Sequence, residues 1–402
     1  MRLLDGPPPA AGPERPASHL ARLGPLPSAA GLIPLLEASG LRGRGGAGFP
    51  VGRKWRTVAE RRSGRAAVLA NGAEGEPLSL KDRVLMAARP HLVLDGALLA
   101  AAAVGAGDIY LYVGTEHRTA REALQVAVQE RGEEARRVRI VDAPPGYVSG
   151  EESAAVHFVN DGPALPTSTP PRPFERGVGG RATLVQNVES LAMVALLARG
   201  GTAGTGLITL SHGVAQPGVC EIALGSTVGE AVATGGGLTG RQKSGGLPPT
   251  PWAVLLGGHF GAWVGIEDAW GLPLDPVGLR ACGLGLGTGV LAFLAAGACG
   301  VSATAGIVAS LAASSAGQCG PCVHGLRAIA GATARLAEGS AEAGDLDRLT
   351  RWCRELPGRG ACRHPDGAAG FVASALRVFA EDFAAHQSYR RCPRMELHRG
   401  AA

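Results

Sequence analysis

Two groups of residues in this chain have the types and spacing to do chemistry. The first is Ser39-Gly40-Leu41-Arg42-Gly43-Arg44-Gly45-Gly46-Ala47-Gly48-Phe49-Pro50-Val51-Gly52-Arg53-Lys54-Trp55, with six glycines and four cations in seventeen residues. Glycine permits positive φ and lets a ligand approach the backbone closely. Successive N–H groups in such a turn form an anion-binding nest. Arg42, Arg44, Arg53 and Lys54 add positive charge, and Phe49 or Trp55 can cover a flat ring. The combination suits a phosphate-bearing aromatic cofactor, a nucleotide or a flavin. A flexible linker would pair glycine with serine instead. The second group is Cys319-Gly320-Pro321-Cys322, followed by Cys362. A CxxC lets two sulfurs face one metal centre, and a remote third cysteine can close the site. Iron–sulfur clusters normally take four such thiolates.

The elements that must position these groups follow in order. Ile33–Ala38 reads as a short helix feeding the glycine loop. Ala66–Ala70 is an apolar run that fits a buried strand. It delivers Asn71, Glu74 and Glu76, then Lys81-Asp82-Arg83, and polar residues past a strand's carboxyl end are where open α/β sheets bind ligands. A helix at 90–104, a strand at 109–113, a helix at 118–131 and a strand at 137–141 come next. This alternation implies a parallel sheet with crossover helices. The outline is Rossmann-like, although no GxGxxG joins the first strand to its helix. Gly150-Glu151-Glu152 reads either as acceptors for a ribose or amide, or as a helix N-terminus favoured by the dipole. Residues 183–190 enter a helix running to about Ala198.

From about Gly204, strand, strand, helix and strand (207–211, 218–223, 228–233, 253–256) fit a small β-grasp domain. From Ala303 onward, apolar residues recur at three- and four-residue spacing and predict four helices with short connections, a bundle. The expected division is a flexible tail at 1–27, an α/β domain at 28–203, a β-grasp domain at 204–280, a helical bundle at 281–390 and a tail at 391–402.

Composition narrows the classes. The 402 residues and 46% hydrophobic content allow several cored domains. A net charge of +5 with scattered arginines gives no case for nucleic acid. The segment 1–27 is rich in Pro, Ala and Gly and has no apolar core of a signal peptide. The uncharged run Ala281–Leu326 is interrupted by Gly, Ser and Thr, and reads as a buried strand and helix rather than a membrane span. Without a secretion signal, the eight cysteines point to metal or redox chemistry in a reducing cytoplasm. Cys220, Cys282, Cys299 and Cys353 read as buried core positions, and His259 as a structural turn residue.

From about Ile33 to His386 the chain resembles the NADH-binding flavoprotein subunit of respiratory complex I and the flavin subunits of NAD-linked hydrogenases and formate dehydrogenases. The resemblance rests on the glycine loop, the Gly150-Glu151-Glu152-Ser153-Ala154 segment, Asn187 with Glu189, and the cysteine motif. It implies a soluble-ligand-binding β-grasp module and an oxidoreductase subunit akin to NADH dehydrogenase. FMN would lie against Gly43, Arg44, Gly45, Gly46, Lys54, Asn71, Gly150, Glu151, Glu152 and Asn187, with Glu74 and Glu76 beside it. Phe49 would be one of two rings around the NADH adenine. Cys319, Cys322 and Cys362 would be three of the four ligands of a 4Fe-4S cluster.

Several family positions differ here. The first cluster cysteine is Ala316, which cannot ligate iron. The cluster would then be 4Fe-4S with a substitute ligand such as His324, Cys353, Cys392, solvent or a partner's residue, or 3Fe-4S, or lost. The acid two residues after Asn71 is Ala73, the second adenine ring is Thr57, and a dinucleotide-binding lysine is Thr169. NAD(H) binding is therefore in doubt. The expected partners are other electron-transfer subunits or a ferredoxin. The expected location is cytoplasmic, peripheral to any membrane complex and without direct insertion. The competing reading is a degenerate scaffold that holds other subunits without catalysis.

Overall fold

The computed structural model describes residues 1–61, 64–239, 251–390 and Cys392. Apart from Cys392, the expected tail at 391–402 lies outside them. The chain forms two compact units: Met1–Ile208 with Val219–Leu224, and Thr209–Gly218 with the chain from Gly225 onward.

The first unit is built on a parallel sheet of β1 (Ala66–Gly72), β2 (Ala106–Gly114), β3 (Val138–Ala143) and β4 (Thr183–Asn187), in the order β3-β2-β1-β4. β1 is buried on both faces. Val68 and Ala70 pack with Leu92, Leu94 and Leu191 on one side, while Ala67 and Leu69 pack with Tyr112 and Val156 on the other. Such strands read as continuous apolar runs, as the sequence does here. The helices Pro90–Val104 and Arg118–Arg131 have the expected bounds. Gly96 lets the first of these lie against the helix Val188–Leu197, because a Cβ there would sit 2.0 Å from the Leu191 carbonyl oxygen. β4 begins where the sequence suggested only an approach to that helix. Its Thr, Gln and Asn hide it from an apolar-run reading.

The segment 1–27 is not a mobile tail. Leu3 is fully buried, and the backbone N–H groups of Leu3 and Leu4 each donate to the Glu221 carboxylate at 2.9 Å. Buried Arg89 donates to the carbonyls of Leu4, Asp5 and Pro7. The helix Pro16–Leu23 brings His19 Nε2 to 2.9 Å from Asp95 Oδ2. These anchors lie tens to hundreds of residues downstream, so composition alone could not show them.

Glu14 is part of this anchorage and sets a pH dependence. Burial raises its pKa, but hydrogen bonds with His19 and Arg22 outweigh that and bring it down to about 2. A depressed carboxyl contributes stability above its unfolded pKa and loses it as pH falls through the folded one. Glu14→Gln should therefore cost on the order of 3 kcal/mol at pH 7. The gap to the parent should shrink steadily below about pH 4.5. Urea unfolding of both proteins from pH 7 to 3 checks this, and a gap independent of pH refutes it.

β5 (Thr205–Leu210) divides between the units, and its first residues belong, with all of β6 (Gly218–Ala223) but Gly218, to the first. In the second unit, β7 (Ala253–Leu256) pairs antiparallel with β8 (Ala262–Gly265) and with β9 (Val290–Leu294). β9 also pairs in parallel with Thr209 and Leu210. β9 thus sits inside this sheet, although the expected boundary at 280 assigned its residues to the helical domain. The helices Gly300–Ala313, Arg327–Glu338, Asp345–Glu355, His364–Val378 and Ala380–Tyr389 follow. The expected last helix is broken at Phe379, whose ring packs on Trp252 and Trp263. Cys353 is buried as expected, but Cys282 is exposed and Cys220 only half-buried. His259 is buried. No single helix among the described residues is long and apolar enough to cross a membrane.

Candidate functional site

In the first unit, the chain runs from β1 outward through β2 to β3, then returns to place β4 on the other side of β1. The crevice beyond the carboxyl ends of β1 and β4 is a topological switch point, where open α/β sheets bind ligands. Asn71 and Asn187 pair in register at the carboxyl ends of these two strands. The Asn187 side chain caps the helix Val188–Leu197 by accepting from Glu189 N–H at 3.0 Å. The Asn71 amide donates to the Gly150 carbonyl at 2.8 Å, which fixes the Gly150-Glu151-Glu152 turn beside it.

The glycine loop closes over this floor. Gly43 N–H donates to the Phe49 carbonyl and Val51 N–H to the Leu41 carbonyl, both at 2.9 Å. Gly46 and Gly48 have φ of +101° and +62°, which side chains disfavour. Arg44 N–H donates to Ser190 Oγ at 2.9 Å, and a Cβ on Gly45 would lie 3.3 Å from that of Asn187. The helix Val51–Ala59 then turns Lys54 toward Glu152, with Nζ 3.0 Å from Oε2. Trp55 is buried and donates to Gln186, whereas Phe49 is half exposed with the Arg53 guanidinium over its ring.

The acidic residues divide by task. Glu151 is the N-cap of the helix Glu152–Val159, so the helix-terminus reading holds for it. Glu152 faces Lys54. Glu76 is buried and accepts from the Tyr147 hydroxyl at 3.0 Å. Glu74, expected beside the cofactor, points elsewhere. Its φ is +42°, and its carboxylate accepts from Ser79 Oγ, the N–H groups of Asp82 and Arg83, and Arg83 Nε. It anchors the start of the helix Lys81–Ala88.

Beneath the loop lies a buried charge network that the sequence reading missed. Lys81 Nζ is 2.7 Å from Asp82 Oδ1 and 2.9 Å from Glu189 Oε2. Asn187 donates to Asp82 Oδ2 at 2.7 Å, and Leu207 N–H to Glu189 Oε1 at 2.9 Å. Arg44 Nε lies 3.9 Å from Glu189, and Arg44 Nε and Nη1 are buried without a hydrogen-bond partner. Burial alone pulls the Lys81 ammonium down, but the facing Asp82 and Glu189 carboxylates hold it above its ordinary value. The available signal was Lys81-Asp82 directly after the strand and Glu189 two residues past Asn187.

The second unit carries the cysteine motif. The Cys319 carbonyl accepts from the N–H groups of Cys322 and Val323, and Cys322 opens into a π-helical turn, Pro321–Leu326. Such turns often mark functional sites. Cys362 lies just before the helix His364–Val378. Burial pushes the Cys322 thiol up to about 12, with Cys319 and Cys362 close enough to add to it. Burial also raises Cys319, but the backbone of Ala361 and Cys322 brings it below its usual value. The three thiols therefore share one neighbourhood. Of the substitute ligands, His324 is exposed on the π-helical turn, burial raises Cys353 to about 11, and Cys392 lies with Cys299 and His386 instead.

Residues 36–196 match the Nuo51 FMN-binding domain, and residues 302–386 match the iron-sulfur binding region of NADH-ubiquinone oxidoreductase-F. One NADH-quinone oxidoreductase F subunit of Rhizobium meliloti (strain 1021) is 32% identical over 387 residues, covering 90% of each chain. The chain belongs to the family of NADH-quinone oxidoreductase F subunits. The F subunit of Rhodobacter capsulatus is also 32% identical, covering 90% of this chain and 89% of its own. An NAD+-reducing [NiFe]-hydrogenase, solved in the air-oxidized state, superposes with a TM-score of 0.81 at 29% identity, over 93% of this chain and 67% of that one. Membership among the F subunits thus accounts for a flavin half and an iron–sulfur half in one chain, the composition of an electron-transferring oxidoreductase component. Within it, Ala73 packs near Gly150, Thr57 turns its hydroxyl back to the Arg53 carbonyl, and Ala316 follows Ser315, whose side chain hydrogen-bonds Cys322.

Proposed function

We propose that the switch-point crevice holds FMN, and that the chain passes electrons between a nicotinamide or ferredoxin-type donor and an iron–sulfur acceptor chain. The in-register pair Asn71 and Asn187 under a clamped glycine loop carries this reading. Gly43, Gly45 and Gly46 give the backbone room for a phosphate-bearing ring. Lys54 and the unpartnered Arg44 nitrogens supply positive potential, and Gly150 and Glu152 form the facing wall. A flavin supplies both one- and two-electron steps. The chain's own residues bind it, orient it and keep it over the strand ends. Cys319, Cys322 and Cys362 would hold the cluster. We assign residues 204–280 with β9 to a β-grasp module and the helices beyond to the cluster-bearing bundle. The partners would be further electron-transfer subunits, with any membrane contact made through them.

Acid release and mass measurement of the flavin test this reading. A preorganised site should reconstitute well, so less than about a tenth of a flavin per chain would sink it and favour a non-catalytic scaffold.

NADH should be a poor electron donor. Phe49 stands half exposed with no second ring stacked on it among the described residues, and Thr57 and Thr169 replace a ring and a cation. One lost stacking wall and one lost charge contact weaken binding by roughly 1–3 kcal/mol, or about one to two powers of ten. Stopped-flow bleaching of the flavin should be slow at micromolar NADH and should recover in Thr57→Phe/Thr169→Lys. Fast bleaching of the parent would show that the wall and the charge are dispensable.

A further inference from the structure

Cys299, His386 and Cys392 are all buried, and their ligand atoms lie within 4.8 Å of one another. They come from the start of one helix and the end of another. Cys299 is the N-cap of the helix Gly300–Ala313, and its sulfur accepts from Ser302 N–H at 3.4 Å. His386 lies in the last helix, Ala380–Tyr389, with Nε2 3.3 Å from Cys299 Sγ. Cys392 follows that helix. The other ring nitrogen, His386 Nδ1, is 2.8 Å from the Leu336 carbonyl oxygen near the end of the helix Arg327–Glu338.

That last contact fixes the chemistry. A carbonyl accepts only, so Nδ1 carries the proton, and in a neutral ring Nε2 presents its lone pair to the sulfurs. A backbone carbonyl holding the far nitrogen of a ligating histidine is the usual supporting contact of a metal site. Two cysteines and an imidazole nitrogen form a soft donor set that selects zinc over calcium or magnesium. Tetrahedral zinc with ordinary bond lengths spaces such ligands by roughly 3.5–3.8 Å, in keeping with this cluster. Simple packing of small hydrophobic thiols would not aim an oriented imidazole at them.

We infer that Cys299, His386 and Cys392 bind a zinc ion that ties the end of the last helix to the start of the helix Gly300–Ala313. The site is separate from the Cys319, Cys322 and Cys362 group, and it removes Cys392 from the possible ligands of that cluster. Three protein ligands leave one tetrahedral corner for a further group.

The test uses the full-length chain, purified with zinc and analysed for zinc and iron by mass spectrometry. The parent should carry about one zinc per chain. Cys392→Ser and His386→Gln should lower zinc affinity by at least about tenfold and leave iron content unchanged. Exposed Cys282→Ser should change neither metal. Cobalt(II) added to the zinc-free parent should give the intense visible bands of a tetrahedral thiolate site, and Cys392→Ser should lose them. A parent without zinc, or zinc indifferent to both substitutions, overturns the inference. Loss of iron rather than zinc from Cys392→Ser overturns it too, by making Cys392 a cluster ligand. If a variant fails to fold, absence of the cobalt bands from the parent alone decides against the site.

Discussion

Lys81→Met lowers the unfolding free energy by on the order of 3–5 kcal/mol, the usual cost of removing one partner from a buried ion pair. The Lys81 ammonium is the cation closest to Asp82 Oδ1 and Glu189 Oε2, and all three side chains are almost wholly buried. Methionine fills a similar volume, so the loss is chiefly electrostatic. Two carboxylates left facing each other in a low-dielectric pocket cannot both stay ionised, and one takes up a proton. A carboxyl whose pKa is raised in the folded state contributes stability at low pH and loses it as pH rises through that pKa. The deficit of the variant should therefore be larger at pH 8 than at pH 5. Removing the second charge as well, in Lys81→Met/Glu189→Gln, should recover part of the loss. Urea unfolding at both pH values measures this. A single variant within about 1 kcal/mol of the parent at pH 8 would mean that the network is solvated or dispensable. On the proposed site, the flavin would be lost along with stability, because Asn187 donates to Asp82.

Cys322→Ser abolishes iron binding, and Ala316→Cys increases it. Cys322 is the most buried of the three cysteines that share its neighbourhood. Ala316 leaves the fourth corner without a thiolate, and iron–sulfur clusters are normally held by four. The parent should lose iron on mild oxidation and leave a three-iron cluster with its own paramagnetic signal. Ala316→Cys should retain about four irons through the same treatment. Iron and sulfide analysis with electron paramagnetic resonance, before and after oxidation, reads both effects. If anaerobically reconstituted parent carries no iron, and Cys322→Ser alters neither colour nor stability, these thiols are structural.

The sequence revealed features whose causes are local. Ala66–Ala70 announced a central strand because both its faces are covered, and the helices at 90–104 and 118–131 carry their own start and stop signals. The CxxC and the glycine loop are likewise contiguous. What escaped notice depends on distant partners. The segment 1–27 looks like a tail until Arg89 and Glu221 are seen holding it. Glu74 looks like a ligand until its carboxylate is found at the start of the next helix. Cys299 is buried as expected, but its contact with His386 was hidden because the two lie 87 residues apart. β9 seemed to open a helical domain because only pairing shows that it completes a sheet.

The pairing of Asn71 with Asn187 also orders events in time. The glycine loop is made early, but its floor includes Asn187 and Ser190, and the contact from Arg44 to Ser190 spans 146 residues. Closing so long a stretch of chain is slow compared with forming a helix. A ribosome that has released only the first hundred or so residues therefore presents a glycine loop with nothing beneath it. On the proposed site, cofactor capture waits for the returning strand, and a flavin held there would keep that strand in place by mass action. Cells short of riboflavin should accumulate this chain with its loop and β4 open to proteases, while the rest of the sheet is already formed.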